Sequence, residues 1–166
     1  MTKSKIQETK QQRRIFLKTF TKYNQIEDAI KILKENYYED HLQVTIIGEF
    51  SKKNKLEAIK TQLKGLFNSP LNFGIITNSE IGTVFIIGSF TSMFLQEING
   101  KKIGSMSMGP NSILCGLGIV QEKVTTCLKA LKNGKYLLII RGFNNKLNKL
   151  EDSLIQLSYK KQLINN

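Results

Sequence analysis

The sequence predicts an α+β domain built on an antiparallel sheet. Three observations carry that expectation. Short runs rich in β-formers stand near both ends and in the middle of the chain. Between them lie segments whose apolar residues recur near every 3.6 positions. The order is strand, helix, strand, an insert, then strand, helix, strand, with one more helix trailing. A chain of 166 residues is long enough to bury one real core. Its 40% hydrophobic and 23% charged residues exclude a disordered polyelectrolyte and a bundle of membrane spans.

Ile15-Phe16-Leu17-Lys18-Thr19-Phe20 reads as the first strand. Asn24, with Glu27 three residues later, has the form of a capping box opening a helix. Ile26, Ala29, Ile30, Leu33 and Tyr37 then fall on one face of that helix. Leu42 to Ile47 is the second strand. Lys55 to Phe67 is a second amphipathic helix, and Pro70 closes it because proline has no N–H to give. Residues 71–82 are ambiguous, with Phe73 to Thr77 a short strand at most. Thr83 to Ile87 is a firmer strand. Asn99-Gly100 marks a tight hairpin. Residues 103–114 hold Gly104, Gly109 and Pro110 and match no regular element. After Gly118 comes a helix with Val120, Val124, Cys127, Leu128 and Leu131 in register, ended by Asn133-Gly134. Tyr136 to Ile140 is continuously apolar, as a strand buried on both faces would be. A last helix carries Leu147, Leu150, Leu154 and Leu157.

Two strand–helix–strand halves give a ferredoxin-like βαββαβ sandwich, four strands with helices on one face. The organisation expected is a basic arm over 1–14, the domain over 15–142 with a helical insert over 51–82, and a C-terminal helix and tail over 143–166. The open face of such a sheet needs a cover: the insert, the trailing helix or another subunit.

Charge is the extreme feature. The formal net charge is +12, and 34 of the 38 charged side chains lie outside residues 65–121. That middle is expected to be buried, to touch lipid or to form an interface. Two clusters could meet a polyanion: Lys3, Lys5, Lys10, Arg13 and Arg14 at the start, and Lys52, Lys53 and Lys55 in the insert. The first 14 residues lack the apolar core of a secretory leader, and no segment reaches spanning length, with Ile81 to Gln96 the nearest approach. The expected location is cytoplasmic or peripheral at a membrane, with Cys115 and Cys127 reduced.

No motif carries chemistry. His41, the single histidine, sits beside Glu39 and Asp40 at a turn, with no nucleophile placed near it. Gly116-Leu117-Gly118 opens a helix, but Gln121 stands where a dinucleotide fingerprint needs its third glycine. Gly100-Lys101-Lys102 lacks the upstream glycine of a phosphate loop and the hydroxyl residue that should follow its lysine, so it reads as a charged hairpin tip. Two cysteines and one histidine cannot complete a zinc site. Phe16, Phe20 and Phe85 lie on strands of a sheet type that can bind RNA, yet they read as core because the glycine–aromatic signature of such proteins is absent. No catalytic residue, metal, cofactor or small-molecule substrate is expected.

Leu114-Cys115-Gly116-Leu117-Gly118-Ile119, a helix, and then Gly134 before Tyr136 to Ile140 resemble the bacterial general stress protein family of the heat-induced type. Ile81-Gly82-Thr83-Val84 with Gly88 is similar to that family's strand ahead of its middle region. Gly116, Gly118, Ile119 and Gly134 are then the helix-entry and packing motif. The segment 96–113 departs from the family's long glycine- and alanine-rich stretch. The resemblance implies a stress-associated, non-enzymatic domain. The expected partner is a second copy or another protein at the poorly charged middle. The alternative is a basic accessory protein docked on RNA, a ribosome or an anionic membrane surface.

Overall fold

The computed structural model describes residues 12–36, 42–50, 53–64 and 72–164. Its centre is a five-stranded antiparallel sheet. The strands are β1 (Arg13–Phe20), β2 (Gln43–Glu49), β3 (Phe73–Asn78), β4 (Gly82–Gly88) and β7 (Tyr136–Phe143), ordered β1-β7-β2-β4-β3. A hairpin of two very short strands, β5 (Glu97–Ile98) and β6 (Lys101–Lys102), stands apart. The helices are α1 (Tyr23–Asn36), α2 (Lys53–Lys64), α3 (Thr91–Leu95), α4 (Gly109–Gly116), α5 (Gln121–Lys132) and α6 (Asn144–Ile164). Among the described residues no helix is long and apolar enough to cross a membrane.

The mixed α+β class and the antiparallel sheet are as the sequence predicts. Two crossovers interleave. β1-α1-β2 straddles β7, and the path from β4 through α5 to β7 straddles β2. The sheet has five strands rather than four, because β3 pairs along its whole length with β4: Phe73 opposes Ile87 and Asn78 opposes Gly82. Helices cover both faces rather than one. Alternation along the central strands explains this directly. Val44, Ile46, Leu138 and Ile140 point into one layer with α1, α2 and α6. Ile47, Ile86, Leu137 and Ile139 point into the other with α3, α4 and α5. Both sets are buried, and a fully buried Leu or Ile contributes roughly 2–3 kcal/mol.

The charge-poor middle is therefore spent on this chain's own second layer. Val84, Ile86, Phe90, Phe94 and Leu114 are all buried there. The cover that the sequence assigned in part to another subunit comes from α3 to α5. Residues 103–114, which match no element in sequence, form a 3-10 turn at Ile103–Ser105 and then α4. Gly109-Pro110 opens that helix, and proline in the first turn loses no hydrogen bond.

Local details also differ from expectation. α1 begins at Tyr23, which places Asn24 inside its first turn; the Gln25 side chain instead accepts the Thr21 and Lys22 N–H groups, each at 3.0 Å. Val120 precedes α5 and is 61% exposed, so it is not part of that helix's buried stripe of Val124, Cys127 and Leu131. Arg13 and Arg14, assigned to the arm, belong to β1. Other readings hold. Phe20 and Phe85 are core. The Asn99-Gly100 hairpin has the positive φ values, 52° and 81°, that its sequence favours. Gly134 ends α5 at φ 80°. Gly88 lies at φ 123°, where a Cβ would stand 2.1 Å from the Val44 carbonyl oxygen.

A candidate cationic groove beside the edge strand

The two faces of the sheet are not covered equally. On the first face α6 lies across β1 and β7, burying Leu147, Leu150 and Leu154. On the second face α5 lies over β7, β2 and β4 and stops short of β1. The space left is a groove of about 870 Å³. One wall is β1, with every residue from Arg13 to Thr19 bordering it. Consecutive side chains of a strand point to opposite faces, so a lining that takes them all runs along the strand's backbone edge. The other wall is the entry to α5, from Leu117 to Val120, and then Glu122, Lys123, Thr126 and Cys127 of its first turns.

Registration places the side chains. Phe16 and Phe20 belong to the first-face cluster, and Ile15 and Leu17 pack on the second. Arg13, Ile15, Leu17 and Thr19 thus face the groove, and Ile15 stands opposite Arg141 of β7. The floor is apolar and its margins are cationic. The Arg13 guanidinium lies 5.0 Å over the Phe143 ring. Arg141 and Lys123 are exposed and have no ion-pair partner among the described residues. Arg14 turns to the opposite face, where it meets Asn144, Asn148 and Glu151 on one side of α6. Lys18 turns the same way, 5.6 Å over the Phe20 ring. With Arg14 and Glu151 occupied by each other, Arg13, Lys123 and Arg141 stand, among the described residues, against Glu122 alone on the groove side, and Lys18 borders the groove from the opposite face.

The groove's thiol is that of Cys127. Burial pushes its pKa up, and the Lys123 ammonium opposes this only in part, so at neutral pH it is a packed thiol and a poor nucleophile. Among the described residues no three His, Cys, Asp or Glu side chains gather into a group that could hold a metal ion.

The sequence-picked residues divide. Arg13 comes together with Gly118 and Ile119 at the groove, and Arg14 borders it with its guanidinium turned away to α6. Gly118 makes the turn into α5 at φ 97°, and Ile119 is 7% exposed. Gly116 ends α4, and Gly134 lies at the far end of α5. Lys53 and Lys55 belong to the first turn of α2, a helix that packs on the layer opposite α5. Lys3, Lys5, Lys10, Lys52 and the His41 turn lie outside the described residues. The sequence reading missed Arg141, Lys123, Ile15 and Leu17 as a set. Arg141 does carry a signal, being the one charge that interrupts the apolar run from Tyr136 to Phe143.

The fold and groove define an α+β domain with a sheet covered on both sides and, among the described residues, one open edge. Comparisons with protein-family models, with curated proteins and with solved structures find no match to this chain.

Proposed function

We propose that this chain is a non-catalytic binding module that holds an acidic protein partner in the groove between β1 and α5. The observation that carries the reading is the imbalance of charge over an apolar floor: Arg13, Lys123 and Arg141 against Glu122, beside Ile15 and Leu17, with Lys18 on the reverse side of the same strand. Opposite charge steers and orients a partner, and the apolar floor supplies the contact area. The neutral Cys127 thiol supports binding rather than covalent chemistry. The stress-associated setting implied by the resemblance is part of the same proposal and adds no reaction to it.

RNA is the less supported partner. Single strands are held by stacking on aromatic rings, and the β1 aromatics Phe16 and Phe20 face the other layer. Self-association through residues 65–121 would rest on Ile98, Met108 and Val120, the large apolar side chains that the described part of that segment exposes.

The test is binding of fluorescent polyglutamate, followed by anisotropy. The expected result is association that weakens as salt rises and is lost, about tenfold or more, in Arg13→Glu/Arg141→Glu. Equal binding by that variant overturns the reading.

A further inference from the structure

The groove does not end at a wall of side chains. It borders the outer edge of β1, which is the terminal strand of the sheet and eight residues long. The sheet's other edge is treated differently. There the Asn78 side chain donates to the carbonyls of Gly104 and Met106, at 3.0 and 2.9 Å, and ties the 3-10 turn against β3. Leu95 packs against Gly74 on the same strand. β1 has no such cover among the described residues. Its free edge presents a row of backbone N–H and C=O groups.

We propose that an extended acidic segment of the partner protein adds to β1 as a sixth strand, with every second side chain turned into the groove. This rests on the proposed function above and specifies its mode. Backbone pairing at β1 would supply a ladder of hydrogen bonds, and alternate side chains would supply specificity. The chemistry alternates as such a strand requires. Side chains turned toward the second face meet Ile15 and Leu17, with Val120 exposed at the lip and Arg141, Arg13 and Lys123 around them. Side chains turned the other way approach Lys18. An added strand therefore meets cations on both of its faces. Eight residues at about 3.3 Å each give an edge of roughly 26 Å, which fits a peptide of that length.

Charge also decides against the nearer occupants. A second copy pairing β1 with β1 would bring Arg13, Arg14 and Lys18 of each chain together, with no acidic residue on either strand. Residues 1–11 of this chain carry Lys3, Lys5 and Lys10 against Glu8, the same sign as the groove. An acidic segment from elsewhere is the complementary partner.

The experiment uses the full chain and a fluorescein-labelled octapeptide of alternating glutamate and valine. The expected result is saturable binding at low salt, with slowed amide exchange at the outward-facing N–H groups of β1. Replacing the two central valines by proline keeps the charge and removes ladder donors; it should weaken binding about tenfold or more. Glu122→Gln removes the groove's opposing carboxylate and should tighten binding a few-fold, a gain that a merely destabilised variant would not give. Equal affinity for the proline peptide, or unchanged exchange in β1, overturns strand addition and leaves the groove reading standing. Tighter binding of a single-stranded RNA of matched charge overturns the partner class. Failure of both peptides and polyglutamate to bind at low salt overturns the groove itself.

Discussion

Asn78 is 2% exposed, yet both ends of its amide are hydrogen-bonded. Its Nδ2 donates to two carbonyls, and its Oδ1 accepts the Glu80 N–H at 2.8 Å. One side chain thus closes the β3–β4 turn and fixes the 3-10 turn that lies 26 residues further on. Asn78→Ala leaves two carbonyls and one N–H short of partners, and should cost about 2–4 kcal/mol in urea unfolding. A loss below about 0.5 kcal/mol would mean that water replaces the amide without penalty. None of this was legible in sequence. Residues 71–82 are ambiguous in sequence, and what the asparagine holds is chosen by Gly104 and Met106, at a separation no local pattern encodes. Thr45 is similar. Its hydroxyl, on the second strand, accepts the Phe90 N–H at 2.8 Å from 45 residues away.

At the scale of elements, what could be read was what one-sided burial writes into a sequence. The periods of α1, α5 and α6 each predict a buried stripe, and Ile26, Ile30, Leu33, Val124, Leu131, Leu147 and Leu150 are indeed buried. α4 escaped because its residues are nearly all apolar or small and because Gly109-Pro110 looks like a stop. A helix dry on most sides has no period to find. The face on which each helix lies was also hidden, since α1 and α5 have the same pattern and pack on opposite layers. The groove follows from that placement, and so was readable only in its parts. α5 offers a direct check. Cys127 is buried on its inner stripe with its pKa raised by burial, whereas Cys115, near the end of α4, is half-buried. A raised thiol pKa leaves less thiolate at any given alkaline pH. Thiol titration of the native protein near pH 8 should therefore show one fast equivalent, Cys115, and one that reacts only on unfolding. Two equally fast thiols would show that α5 opens readily from the sheet, and Cys115→Ser identifies which remains.

Over the whole molecule, the net charge of +12 and the dry middle are two sides of one arrangement. Positions in 65–121 that could have carried charge hold Val84, Phe85, Ile86, Phe94 and Leu114 instead, and all five are buried. The charge then crowds onto the remaining surface, where cations outnumber acids. The ion pairs Arg14–Glu151 and Lys60–Glu57 are both partly open to water, and such pairs contribute at most about 1 kcal/mol. Repulsion among like charges is the larger collective effect, and it opposes the compact state. Salt should therefore act on this protein in two opposite ways. Screening relieves self-repulsion, so raising sodium chloride from about 0.05 to about 0.5 M should raise the Tm by roughly 2–4 °C for about 1 kcal/mol recovered. The same screening should weaken an acidic peptide in the groove. Measuring both in one salt series separates fold from binding without a variant. A Tm that falls with salt would mean that favourable pairings, rather than repulsion, dominate the surface, and Arg13, Lys123 and Arg141 would then be engaged already and not waiting for a partner.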